Sequence, residues 1–400
     1  MRLKKLLFLV YFCFQLIDVD ARKIIKYEQQ NEIFIEGWLK ELSGINSIKI
    51  KIYRSYFGGK NSYEAQEYTI KVNDKHFSCK IPLFSNYSYI KISYPRISNH
   101  FNRMLDDEKS LFFVQSMYKI NCILSNDDIL FSGKYAEVMN CQKFILNNLY
   151  TPSPEENEFE RNKNFERYYL LQSLRIDSFL NTQLKILDQF KLKLTEDEFN
   201  VIRANCIGIN YGRELGNLRM SYMSGDSTEE KVILAKKIFA EKFLNISLDT
   251  NNLLAKSTFY CEFLFKKEVL ELEMFKRDRP IAYQGYSFGE LYANLERRYK
   301  GYLRDELVLW SFIELIRYST FNAYMYLNDA ISLVVNSNSK KILQRFKNAY
   351  HPGMAASLAW GRPGQLCCFG FCCVAVPARN SPPPTDGLIL ERTLSLTRTN

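Results

Sequence analysis

Ten cysteines are present in this 400-residue chain, yet no Cys-x-x-Cys occurs anywhere in it. Thiol-disulfide exchange of the thioredoxin kind needs that spacing at a helix start. There the first sulfur gains a lowered pKa and the second lies within bonding reach. Histidine is scarcer still: His76, His100 and His351 are far apart and fall in different expected elements, so spacing assembles neither a triad nor a metal site. The sequence also lacks H-E-x-x-H, G-x-S-x-G, a Walker-type glycine loop and a D-x-D-x-D-G calcium loop. No residue is therefore assigned a catalytic, cofactor-binding or metal-ligating role, and no cofactor is expected.

Other absences narrow the class further. Beyond the amino end there is no apolar run of about 18 uncharged residues, the length a membrane-crossing helix needs. A net charge of +10 invites a nucleic-acid reading, but no Lys/Arg cluster with interleaved aromatics lies on one element. The charge is read as a solvated basic surface, and no nucleic-acid partner is expected. Residues 355–400 hold no lysine and no tyrosine, yet carry four of the ten cysteines and five of the eleven prolines. This stretch, residues 355–400, is expected to be an irregular, aberrant tail. Its Cys367, Cys368, Cys372 and Cys373 are spaced wrongly for a redox pair, and adjacent cysteines cannot easily face one tetrahedral ion.

What is present is ample core material, with 46% hydrophobic and 14% aromatic residues. At the amino end Arg2, Lys4 and Lys5 precede LLFLVYFCF and then Val19, Asp20 and Ala21, which reads as a signal peptide over residues 1–21. Cys13 lacks the small residues that precede a lipidated cysteine, so the expected product is exported, periplasmic or envelope-associated, without a transmembrane segment after cleavage. Cys79, Cys122, Cys141, Cys206 and Cys261 are irregularly spaced and odd in number, so they define no disulfide framework and are read as single buried thiols.

Residues 22–148 read as a β domain. Ile48, Ile50 and Ile52 alternate with polar residues, as do Tyr68, Ile70 and Val72; Asn73, Asp74 and Lys75 make a turn, and Phe77, Cys79 and Ile81 resume the alternation. Further short strands are expected over 90–94, 111–114, 120–124 and 129–131, a strand-like pattern continuing to about Cys141. Seven or eight strands in so short a span suit an antiparallel β-sandwich built as a meander with one wet face. Residues 150–350 read as helical. Capping-box pairs at Ser153 with Glu156, Thr195 with Glu198, Ser227 with Glu230 and Ser287 with Glu290 each precede apolar residues at helical spacing. Gly301 is expected to close one helix before another over 303–318, giving a bundle of seven or eight. The fold class is α+β.

Carboxylate pairs such as Asp197 with Glu198, or Glu271 with Glu273, fall on expected helices where exposure or capping explains them. The aromatic stretches FYCEFLF (259–265) and YANLERRYKGYL (292–303) are read as core before pocket lining.

Several segments resemble the TlpA-type thioredoxin-like disulfide reductases of bacterial envelopes. LFFVQSMYKINCIL (111–124) and ILFSGKYAEVMNCQ (129–142) are similar to the stretch closing that family's β domain; YKGYLRDELVLWSF (299–312) is similar to its helical region, and FKNAYHPGM (346–354) to the hinge before its thioredoxin module. The resemblance covers about residues 30–354. It implies a parent activity of thiol-disulfide exchange, with an envelope protein or a thiol substrate as partner and self-association open. In the family the hinge leads to F-x-L-x-D-x-x-G and then W-C-x-x-C. Here Ala356, Ser357, Leu358, Ala359 and Trp360 follow and the pattern ends, so no catalytic residue carries over. The composition break at that junction reads as a frame slip or truncating insertion that removed the module. A non-enzymatic envelope binding or scaffold protein is the alternative.

Overall fold

The computed structural model describes residues 31–40, 42, 44–53, 65–94, 111–125, 128–223, 229–246, 251–275, 287–318 and 322–349. All of them belong to one compact unit that ends at His351. The expected signal peptide, most of the hinge, the tail with its four cysteines, and His100, Ser227 and His351 lie outside the described residues.

Eight strands come first: β1 (Glu32–Leu39), β2 (Ser47–Tyr53), β3 (Ala65–Lys71), β4 (His76–Pro82), β5 (Tyr87–Ser93), β6 (Leu111–Gln115), β7 (Lys119–Leu124) and β8 (Ile129–Ser132). They form two four-stranded sheets, ordered β4-β1-β7-β8 and β3-β2-β5-β6. The alternation read from the sequence is what buries them: Ile48, Ile50 and Ile52 point inward from β2, and Ile33, Ile35 and Leu39 from β1. Two expectations need correction. The β1–β7 pair is parallel, not antiparallel. The turn at Asn73–His76 does not fold β3 back onto β4: β3 pairs with β2 and β4 with β1, so the turn carries the chain from one sheet to the other. Asp74 and Lys75 both adopt positive φ there, which reverses the chain within two residues. What separates the two strands is burial, because β4 sinks Phe77 and Ile81 into the core while β3 presents a largely exposed edge.

Ten helices follow among the described residues: α1 (Ala136–Leu146), α2 (Pro154–Arg161), α3 (Phe165–Gln189), α4 (Glu196–Met223), α5 (Glu229–Phe239), α6 (Thr258–Phe275), α7 (Phe288–Arg298), α8 (Gly301–Tyr318), α9 (Asn322–Leu333) and α10 (Ser337–Ala349). The first is a further correction, since the strand-like pattern was expected to run to Cys141. Val138, Met139, Cys141, Gln142, Ile145 and Leu146 recur at helical spacing and turn one face of α1 onto the sheets.

Helix starts follow the capping chemistry where it is local. Ser153 Oγ accepts from the Glu156 amide at 3.1 Å, and the Ser153 amide donates to Glu156 Oε2 at 3.0 Å. Thr195 and Glu198 form the same reciprocal pair at 2.8 and 3.3 Å. Ser287 does sit at the N-cap of α7, but its hydroxyl makes no capping bond. Gly301 is the first residue of α8 and does not close α7, which ends at Arg298; its φ of +59° and the Asn252 side chain packed against it leave no room for a Cβ. Gly208 serves closeness: a Cβ on it would collide with the Phe259 backbone, so α4 and α6 pack at the distance only glycine permits.

Two apolar clusters hold the unit together. One gathers inward residues of both sheets and α1, and is completed by Leu180 and Leu187 of α3, Val201, Ile202, Cys206 and Ile209 of α4, and Phe259 of α6. The other lies among the later helices around Phe263, Leu264, Leu291, Leu303 and Trp310. Tyr89 of β5 ties the two regions with a polar bond: its hydroxyl donates to Asn205 Oδ1 at 2.7 Å, and Ser257 Oγ donates to the same oxygen at 2.7 Å.

Candidate recognition face

Alternation along β1 leaves Glu32, Phe34, Glu36 and Trp38 on the face away from the core. Register extends that face across the sheet. Trp38 is opposite His76 on β4 and Ile123 on β7, and Ile123 is opposite Leu130 on β8. His76, Trp38, Ile123 and Leu130 therefore form one transverse row over four strands, roughly 14 Å long at the usual strand spacing. Trp38 is 45% exposed and Leu130 51%. The next row is polar, with Ser78, Glu36, Asn121 and Ser132, and beyond it Phe34 lies between Lys80 and Lys119.

His76 links the first two rows. Its Nε2 lies 3.1 Å from Glu36 Oε1, and its ring centroid lies 4.9 Å from that of Trp38. A half-exposed indole held by an imidazole that is itself held by a carboxylate is an ordered apolar platform with hydrogen-bonding groups at its edge. That arrangement suits binding. The sequence singled out His76 but not its partners, which lie 38 and 40 positions earlier. The available signal was Trp38 itself, a large apolar residue in the outward parity that it shares with Glu32, Phe34 and Glu36.

The thiols are placed for packing. Cys122, Cys141, Cys206 and Cys261 are buried and Cys79 is half-buried, none of them in a disulfide. Burial pushes the Cys79 thiol up to about 11 and those of Cys122 and Cys141 to about 12, and raises Cys206 and Cys261 as well. The register sets Cys79 beside Ile35 and Cys122 beside Gly37, with β1 between them. Two strand spacings, about 9.5 Å, separate the pair across the sheet and two residues separate them along it, beyond the Cα reach of a disulfide.

Carboxylates singled out in the sequence are all engaged. Asp197 pairs with Lys256 at 2.9 Å, and Glu198 caps α4 while accepting a hydrogen bond from the Tyr118 hydroxyl. Glu271 takes Arg298 at 2.7 Å and Lys267 at 3.3 Å; Glu273 takes Arg219 through two bonds of 2.9 and 3.2 Å. The last two were expected to be exposed or capping; α6 is covered on nearly every side, and Glu273 is buried and held by an ion pair. The aromatic stretches are core: Tyr260, Phe263, Phe265, Tyr292 and Tyr299 all belong to the helical cluster.

One ionic cluster was not anticipated. Lys242, in a single π-helical turn (Ala240–Leu244), donates to Glu214 Oε2 at 2.8 Å, Asp177 Oδ1 at 2.8 Å and Ser173 Oγ at 2.9 Å. Burial holds Glu214 above the usual carboxylate range despite the lysine. Burial also opposes the charge on Lys242, but Glu214 and Asp177 outweigh it and raise its pKa. The ammonium thus stays charged and unsuited to nucleophilic work; it fastens α3, α4 and the π turn together.

Among the described residues no group of three His, Cys, Asp or Glu could hold a metal ion, and no helix is long and apolar enough to cross a membrane. The chain matches no protein-family model and no curated protein sequence.

Proposed function

We propose that this chain is the exported, non-catalytic portion of a thioredoxin-like thiol-disulfide oxidoreductase, redox-inactive because it has no Cys-x-x-Cys, and that its role is recognition of an envelope protein partner or thiol substrate. The two sheets act in this reading as a β-sandwich and the later helices as a bundle beside it; the single apolar cluster shared by both sheets supports the first. The observation that carries the functional reading is the state of the thiols. All five described cysteines are held above the ordinary thiol pKa by burial, which suppresses the thiolate that exchange requires. Purified chain mixed with insulin and dithiothreitol should reduce insulin no faster than dithiothreitol alone. A rate comparable to that of an intact thioredoxin-like reductase would defeat the reading.

The row of His76, Trp38, Ile123 and Leu130 also favours a second reading, a binding or scaffold protein of the envelope that never had a redox module, because that face needs no thiol. The nucleotides beyond codon 355 separate the two. A shifted frame encoding W-C-x-x-C and a thioredoxin-length continuation supports loss of a module; stops in every frame support the second.

A further inference from the structure

Three of the four sheet edges are blunted by the chain itself. At β6 the Gln142 carboxamide takes both the amide and the carbonyl of Phe113. At β8 the carbonyls of Ile129 and Phe131 accept from two more side chains of α1, Lys143 Nζ at 2.9 Å and Asn140 Nδ2 at 3.3 Å. At β4 Asn73 exchanges both backbone bonds with His76, and Pro82 has no N–H, which leaves only Ser78 and Lys80 with a full outward set. Closures of this kind prevent stray strand pairing.

β3 is the fourth edge, and nothing among the described residues blunts it. The Val72 amide donates to the Asn46 carbonyl at 3.0 Å, on the β2 side. Antiparallel alternation then turns the N–H and C=O of Glu67, Thr69 and Lys71 the other way, off the edge of the sheet. None of these groups has a partner among the described residues. An uncovered seven-residue edge strand is a template for another strand.

The side chains select which strand that is. Glu67, Thr69 and Lys71 are exposed on the outer face, while Tyr68 and Ile70 are half-buried on the core side. An antiparallel copy of β3 centred on Thr69 sets Glu67 of each copy against Lys71 of the other, and Tyr68 of each against Ile70 of the other. Centring on Tyr68 or Ile70 forfeits both ion pairs, and centring on Glu67 or Lys71 sets like charges opposite each other. Lys71 has no carboxylate among the described residues, and Glu67 holds Lys49 at 2.7 Å through Oε1, which leaves Oε2 for a second cation. A lysine on an edge ordinarily repels a foreign strand. Here it favours the strand that brings it a glutamate.

We infer that two copies of this chain pair antiparallel through β3 about a two-fold axis at Thr69, joining their β3-β2-β5-β6 sheets into one continuous sheet. In that register Glu67, Thr69 and Lys71 of each copy give and receive one backbone bond apiece. The interface is narrow, so the dimer is reversible, with a Kd on the order of 10 μM.

Sedimentation velocity of the full chain tests this, with dithiothreitol present so that the tail cysteines do not crosslink. The weight-average mass should rise from one chain to two between about 1 and 100 μM. Thr69→Pro removes an outward N–H and spares every bond to β2, so it should stay monomeric at the highest concentration with an unchanged circular dichroism spectrum. Glu67→Lys and Lys71→Glu should each weaken self-association about tenfold, and their equimolar mixture should regain the parent's dimer, because the two edges are then complementary. The inference is overturned by a monomer at every concentration, by a mixture that associates no better than its components, or by Thr69→Pro dimerising as the parent does, which would place self-association on another segment. The outcome does not depend on the redox reading, because no electron transfer is measured.

Discussion

Gln142 shows how a single side chain can finish a sheet. Its Oε1 accepts from the Phe113 amide at 2.7 Å and its Nε2 donates to the Phe113 carbonyl at 3.0 Å, so its carboxamide stands in for the next strand at the β6 edge. That role was illegible in the sequence because Phe113 lies 29 positions away. The cysteines were more legible: irregular spacing already argued against a disulfide framework, and each described thiol is indeed unpaired. Their chemistry gives a direct expectation. With iodoacetamide and native protein at neutral pH, peptides carrying Cys122, Cys141, Cys206 and Cys261 should stay unlabelled, and should label fully in guanidinium. Mass spectrometry showing any of the four alkylated natively at the rate of an unfolded peptide would mean that its burial is not maintained.

Elements were readable where their signals are local. The boxes at Ser153 and Thr195 depend on residues three apart and formed as expected; the strand signals depend on neighbours two apart and placed seven of the eight strands, leaving β1 without a segment of its own. Which strand lies beside which is another matter. Nothing within β3 or β4 announces that they belong to different sheets, or that β7 runs parallel to β1, because those choices rest on which buried faces meet. The Lys242 cluster was hidden for the same reason, its partners lying 28, 65 and 69 positions away. Glu214 is only 2% exposed, so removing its cation strands a buried carboxylate. Lys242→Met should cost about 3 kcal/mol, and Lys242→Met combined with Glu214→Leu should recover most of it. Urea unfolding followed by circular dichroism measures both; equal losses in the single and double variants would show that the pair is not coupled.

At the scale of the molecule, β and helical regions share a core. The sequence reads as changing period at Ser153, whereas helix already begins at Ala136, and neither point marks where burial ends. Leu180, Leu187, Val201, Ile202, Cys206, Ile209 and Phe259 all close over the sheets from the helical side. A fragment of residues 22–148 loses that cover and should bind the dye ANS strongly and melt without a cooperative transition, whereas residues 22–351 should melt cooperatively. A cooperative, dye-free melt of the shorter fragment would show that the sheets are self-sufficient.

The proposed function turns on electrons more than on folding. Purified chain with insulin and excess dithiothreitol, followed by the turbidity of released B chain, is the most direct test of it. The expected trace overlays the dithiothreitol control across a concentration series of the protein. Turbidity whose onset advances in proportion to the protein added would mean that some sulfur in this chain does exchange disulfides, and the reading of a purely recognising body would be wrong.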